Sequence, residues 1–220
     1  MANAVALFEE LKDSPVRYWG FKDVGLSKHD MESLVRKMNT AGKTTCLEVV
    51  SLSESEGLRG ARLAIDLEFD ILMGTVFYES IANLLRDTRV KYFPFAGEVS
   101  GHPSILNGTV PEIVHNAQFL EAKGVDGLDL LTFRYSGDAL QLLTEVVERT
   151  AIPIVSAGSI SSFERIVDVW HSGASAFTIG TACFEGRFVP EASFGENMMA
   201  VWNWLQSHEL DPSGQVRKVS

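Results

Sequence analysis

Cysteine is nearly absent from this sequence: Cys46 and Cys183 are the only two in 220 residues. Two thiols so far apart give no disulfide framework and no zinc-ligand spacing. Basic charge is scarce as well. The chain carries 19 Lys and Arg against 29 Asp and Glu, a formal net charge of −10. So acidic a chain is a poor counterion for phosphate backbones, and nucleic acid is not an expected partner. No apolar run approaches the ~18 residues that a membrane span needs. The opening stretch "MANAVALFEELKDSP" has no basic region and is interrupted by Glu9 and Glu10, unlike a secretory leader. These absences lead to the expectation of a soluble, reduced, cytoplasmic protein with no membrane partner. No G-x-G-x-x-G follows the first apolar run, so an open dinucleotide-binding sheet is not favoured. No motif for a nicotinamide or flavin is found, and no cofactor is expected. Glu48, Glu98 and Asp129 could in principle hold a divalent cation, but no H-x-H or similar ligand pair supports a metal.

What is present is regular alternation. Short apolar runs, rich in β-branched and aromatic residues, read as strands buried on both faces. They are "RYWGFK" (17–22), "TTCLEVV" (44–50), "DILMG" (70–74), "KYFPFA" (91–96), "GLDLLTF" (127–133), "PIVSA" (153–157) and "AFTIG" (176–180). Between them lie stretches of helical period. Examples are Met31, Leu34, Val35 and Met38; Ile113, Val114, Ala117 and Leu120; Leu140, Leu143, Val146 and Val147; and Phe163, Ile166, Val167 and Trp170. Ser53–Glu56, Thr109–Glu112 and Ser161–Glu164 have capping-box spacing, with Pro111 suited to a first turn. Glycines in "AGKTT", "AKGVDG" and "HSGASA" separate helices from the strands that follow.

This βαβα order predicts an α/β fold of parallel strands, a (β/α) barrel of the TIM-barrel type with seven or eight strands. The eighth strand is either a short piece near "NAVAL" or absent, since Ala6 to Asp13 reads better as helix. A single domain over residues 1–220 is expected, with 209–220 as a polar tail and "FGENMMAVWNWLQ" as a last helix. Met198, Val201, Trp202 and Leu205 would line one face of that helix. Trp202, Trp204 and the Met198–Met199 pair offer an apolar contact for a homodimer.

Function in such a barrel is expected at the carboxyl ends of the strands. The last two strands end in "AGSIS" and "IGTAC". Glycine lets a backbone approach an anion closely, and a neighbouring hydroxyl adds a donor. Ala157, Gly158, Ser159, Gly180 and Thr181 are therefore the candidate phosphate-binding residues. The candidate catalytic residues are Lys22, Glu48, Glu98, Asp129 and Arg134. Lys22 could form an imine or pair with Glu48 or Asp129. Glu48 lies inside the otherwise apolar "CLEVV" and is the best candidate base, with a salt bridge to Lys22 as its plainer role. Glu98 opens the long loop "GEVSGHPSILNG", as either an acid–base group or a solvated residue. Asp129 and Arg134 flank the fifth strand, and Arg134 could hold a carboxylate or phosphate oxygen or pair with Asp129 or Asp138. His102 in "SGHPS" is either a lid or a turn residue, and the other histidines are expected on the surface.

The stretch "TAIPIVSAGSISSFERIVDVWHSGASAFTIGT" resembles the end of the ribulose-phosphate-binding barrels. That superfamily includes tryptophan- and histidine-biosynthesis barrels, N-acylmannosamine-6-phosphate epimerases and keto-sugar-phosphate aldolases. In order of elements, residues 8 to 181 are similar to the glycerol uptake operon antiterminator proteins. "DSPVRYWGFKDV" resembles their "SP..Y" segment, and "TAIPIVSAGSI" their "TGIPI.AGG.I". The sequence departs from that pattern at Ser159, where a second glycine is usual, and in lacking the first barrel strand. The resemblance implies a small phosphorylated ligand. The implied activity is isomerase, epimerase or aldolase chemistry on a sugar phosphate or hydroxy-acid, by proton transfer next to a carbonyl. The alternative is a non-catalytic regulator that senses a glycerol-phosphate-like ligand.

Overall fold

The computed structural model describes residues 4–208, so the polar tail at 209–220 lies outside the described residues. The chain divides into two compact units, Met1–Phe95 and Ala96–Ser220. The strands form separate parallel sheets of four and three strands, and no ladder closing them into a barrel is found among the described residues.

In the first unit, helix α1 (Ala4–Leu11) precedes strand β1 (Tyr18–Lys22). The helical reading of this segment holds from Ala4, and no strand forms at residues 4–7. Next come α2 (Lys28–Thr40), β2 (Thr44–Val49), α3 (Glu54–Asp66), β3 (Ile71–Gly74), α4 (Glu79–Leu85) and β4 (Lys91–Phe93), with sheet order β1-β2-β3-β4. Ser27 caps α2 by accepting from Asp30 N, and Ser53 caps α3 by accepting from Glu56 N. Met31, Leu34, Val35 and Met38 are all buried, as their spacing predicts. The core face of α3 is built from small residues. A Cβ on Gly60 would lie 2.3 Å from Val49 Cγ2, so only glycine lets this helix sit so close to β2. Pro94 has no N–H to donate, and strand β4 stops at Phe93.

The second unit opens with an antiparallel hairpin, β5 (Glu98–Ser100) and β6 (Ile105–Asn107), where a loop is expected. The exposed His102 lies at its tip, at a cis bond to Pro103. Then follow α5 (Val110–Ala122), β7 (Leu128–Leu130), a 3₁₀ turn (Thr132–Arg134), α6 (Ala139–Arg149), β8 (Ile154–Ser156), α7 (Phe163–His171), β9 (Ala176–Phe177), α8 (Thr181–Phe184) and α9 (Phe194–Ser207). The Thr109–Glu112 capping box forms on α5. On α7 the cap is Ser162, which accepts from Arg165 N, one residue later than the Ser161–Glu164 spacing suggests.

Two expected core residues face outward. Leu140 is 41% and Trp170 42% exposed, while Leu142, Leu143, Val146, Ile166 and Val169 are buried. Both misplaced residues sit in the end turns of their helices, where the chain leaves the packed face. The expected strand 127–133 stops at Leu130, because the chain turns at Leu131 and Thr132 Oγ1 donates to Leu130 O at 3.3 Å. On α9, Val201 is buried and Met198, Trp202 and Leu205 are partly so. No helix among the described residues is long and apolar enough to cross a membrane.

Candidate functional site

Strands β7, β8 and β9 run parallel, with Leu130 beside Ser156 and Ser156 beside Phe177. The segments that carry Gly158 and Gly180 therefore leave the same edge of one sheet. Ala157 N–H continues the ladder to Leu130 O at 2.8 Å, and Thr178 N–H to Ser156 O at 3.0 Å. Beyond these points the pairing stops. Among the described residues, the N–H groups of Gly158, Ser159, Ile160, Gly180 and Thr181 donate no backbone hydrogen bond outside regular elements, and none goes to a side chain. Ile160 is buried and Gly158 half-buried, while Ser159, Gly180 and Thr181 are exposed, so the acceptors of these N–H groups must come from solvent or a ligand. A row of free donors at the ends of adjacent strands is suited to an anion. Helix α8 has only four residues, so its dipole adds little to that attraction.

The turn after β8 has an unusual backbone. Gly158 has φ +80° and Ser159 φ +59°. Glycine adopts this region freely, whereas other residues pay about 1–2 kcal/mol. Glycine at 159 should relieve the strain at some cost in unfolded-chain entropy. Ser159→Gly is therefore expected to raise unfolding free energy by about 0.5–1 kcal/mol in urea denaturation.

Arg134, at the end of the 3₁₀ turn, runs against Gly158. A Cβ at Gly158 would lie 3.0 Å from Arg134 Cδ and Nε. Arg134 forms no salt bridge among the described residues, and its Nη1 donates weakly to Ser104 O at 3.5 Å. An ion pair with Asp138, one of the roles open to Arg134, is not formed, because Asp138 caps α6 by accepting from Leu140 N and Gln141 N, both at 3.0 Å. Below the turn, Ser156 Oγ donates to Thr132 Oγ1 at 2.8 Å in a buried hydroxyl pair. Asp129 on β7 is 1% exposed. Glu98 is exposed on β5 and lines a recess of about 340 Å³ with Asn107, Glu112 and Asn116, rather than following a parallel strand. Cys183 is buried, and burial pushes its thiol up to about 11, which disfavours the thiolate.

In the first unit, Lys22 and Glu48 are register partners on β1 and β2. Lys22 Nζ lies 3.7 Å from Glu48 Oε1, with the side chains 45% and 36% exposed. The expected ion pair is formed, and at this exposure it adds only about 0–1 kcal/mol to stability. Both groups remain open to a ligand. Thr75, directly after β3, is fully buried.

Asp23, next to Lys22, gives no signal in the sequence beyond its strand-end position. Its side chain is 1% exposed, accepts from Val50 N at 3.1 Å and pairs with Arg59 at 3.3 Å. Burial raises its pKa, against the lowering effects of the Val50 N–H and the Arg59 charge. The native state therefore holds this proton to higher pH than the unfolded chain does. Its contribution to stability is complete below the unfolded value of about 3.9 and is lost as pH rises through the folded pKa. Urea titrations at several pH values should show the stability of the natural chain, minus that of Asp23→Asn, falling as pH rises above about 4. A flat or rising difference would contradict this assignment.

Among the described residues, no group of three or more His, Cys, Asp and Glu side chains gathers in a metal-binding arrangement. Arg165, which sequence reasoning passed over as a helix residue, donates from Nη1 to the Ser159 carbonyl.

No family model matches the chain. The catalytic subunit of dihydroorotate dehydrogenase B (NAD(+)) from Geobacillus sp. (strain WCH70) is 32% identical over 109 residues, covering 38% of this chain and 35% of that protein. The chain thus spans little more than a third of the length of such curated relatives. The YdjI aldolase from Escherichia coli K12 superposes with TM-score 0.59 at 16% identity, covering 96% of this chain and 86% of that one. The glycerol uptake operon antiterminator regulatory protein from Listeria monocytogenes str. 4b F2365 does so with TM-score 0.57 at 15% identity, covering 81% and 89%. At these identities the likeness to the solved structures is one of fold.

Proposed function

We propose that this chain binds a small phosphorylated ligand at the ends of β8 and β9, and that it is an enzyme acting on that ligand. The observation that carries the reading is the row of N–H groups at Gly158, Ser159, Ile160, Gly180 and Thr181 with no acceptor among the described residues, next to an arginine without a salt bridge. The parallel strands and the fold likeness to an aldolase support an α/β fold of the TIM-barrel type. The substrate would be a sugar phosphate or phosphorylated hydroxy-acid, and the reaction an isomerisation, epimerisation or aldol cleavage by proton transfer next to a carbonyl. Phosphate binding stabilises such a transition state from a remote group. Arg134 would add a charged, forked donor to the phosphate grip. Within the first unit Lys22 and Glu48 are the candidate acid–base pair, and within the second Glu98 and Asp129 are the candidate carboxylates.

A second reading is a regulator that binds a glycerol-phosphate-like ligand. The fold likeness to the antiterminator, over 81% of this chain, favours it. The partial sequence likeness to a dehydrogenase subunit adds a third outcome, in which the phosphate belongs to a redox cofactor. A thermal-shift panel separates these. Inorganic phosphate should raise Tm in every case. A larger rise with sugar phosphates supports the enzyme, with glycerol 3-phosphate the regulator, and with flavin mononucleotide the redox reading. No shift with any phosphate would sink all three. If turnover is found, Glu48→Gln should lower kcat at least ~100-fold while leaving phosphate affinity within ~3-fold.

A further inference from the structure

Ser159 needs something to hold its left-handed backbone, and Arg165 is placed to do so. Its Nη1 donates to the Ser159 carbonyl and to Ser161 Oγ at 3.4 Å. Its guanidinium carbon lies 4.8 Å from the centre of the Phe133 ring, a stacked cation–π distance. Ser162 Oγ accepts from Arg165 N at 3.4 Å, which fixes the base of the side chain. Arg165 forms no salt bridge among the described residues, so its donors are directed at the turn. Phe133 and Arg134 are neighbours in the 3₁₀ turn. One braces the β8 turn through Arg165, and the other touches Gly158 directly.

The Ser159 carbonyl and the Ile160 N–H belong to one planar trans peptide unit and point in opposite directions. Drawing that oxygen toward Arg165 therefore aims the Ile160 N–H away from it, and this N–H is one of the donors without an acceptor. We propose that Arg165 is a positioning residue: it locks the Ser159–Ile160 peptide plane so that the strained turn keeps its amides presented to the anion. Arg165 itself does not touch the ligand. The inference rests on the phosphate reading given above and identifies what keeps that site in shape.

Two measurements test it separately. Amide ¹⁵N relaxation of the free protein reads the latch without any ligand. Arg165→Ala should lower the order parameters of the Ser159 and Ile160 amides from about 0.85 to below about 0.6, while those of β8 stay unchanged. Titration with inorganic phosphate reads the consequence. Arg165→Ala should weaken binding ~10- to 30-fold, with Arg165→Lys intermediate because it keeps the charge but loses the fork. In a Ser159→Gly background, where glycine adopts the turn at no strain, the loss caused by Arg165→Ala should shrink to about 3-fold or less. Unchanged order parameters would overturn the latch. An equal loss of affinity in both backgrounds would also overturn it, by showing that Arg165 contacts the anion directly. If the natural chain binds no phosphate, the functional reading falls, and the relaxation measurement still decides the role of Arg165.

Discussion

Valine in place of Gly158 is expected to abolish phosphate binding, with affinity for inorganic phosphate falling at least ~100-fold. Two causes act together. The residue sits at φ +80°, where a β-branched side chain is strongly disfavoured, and its Cβ would press within 3.0 Å of Arg134 Cδ and Nε. The turn must then reshape or Arg134 must move, and either displaces donors from the anion. A control separates this from simple strain. Gly173, at the end of α7, has φ +79° and room for a Cβ, with only Val147 Cγ1 at 3.4 Å. Gly173→Ala bears a comparable backbone cost of about 1–2 kcal/mol and should leave the phosphate Kd within ~2-fold. Isothermal titration of the two variants checks the contrast. Equal affinities in Gly158→Val and the natural chain would remove the β8 turn from the site.

The largest loss of stability is expected at Asn197. This side chain is fully buried and joins α9 to the segment that follows α8. Its Oδ1 accepts from Phe188 N at 3.0 Å and Val189 N at 2.9 Å. Its Nδ2 donates to Val189 O and Ala192 O, both at 3.2 Å, and to Ser193 O at 3.0 Å. Asn197→Ala leaves buried amides and carbonyls unpaired, so the cost should be about 3–5 kcal/mol in urea unfolding. Asn197→Asp tests the polarity of the network. It preserves the two accepted bonds but turns a lone pair toward three carbonyls, and should cost at least as much at neutral pH. Proteolysis should nick the 185–193 segment first in both variants. A loss below ~1 kcal/mol would mean that water or a repacked loop replaces the amide.

Much of the scaffold was legible because buried parallel strands and one-sided helices leave regular marks. The runs at β1, β2 and β3 match the formed strands within a residue at each end. The pairing of Lys22 with Glu48 was one of the roles the sequence left open, and the register of β1 and β2 selects it. The hairpin within "GEVSGHPSILNG" was not legible. Its strands have three residues each, and its pairing is secured by contacts such as Asn107 Nδ2 to Ser100 Oγ at 2.8 Å, which no local pattern shows. Leu140 and Trp170 misled because periodicity does not reveal where a helix leaves its packed face.

At the candidate site, Gly158 could be read from its residue type, since a strand-to-helix turn often needs a left-handed residue. Ser159 in the same conformation could not, because serine carries no such signal and the strain is maintained by tertiary contacts. Arg165 shows the same limit. From the sequence it is a charged residue on an amphipathic helix, and its role depends on the Phe133 ring, which lies far away along the chain.

The central claim is that main-chain amides at the ends of β8 and β9 grip an anion. Amide NMR of the natural chain titrated with inorganic phosphate tests this most directly. The account predicts saturable downfield shifts confined to Gly158, Ser159, Ile160, Gly180 and Thr181, sharing one Kd and absent in Gly158→Val. Saturable shifts clustered elsewhere, or none at these residues at millimolar phosphate, would contradict it.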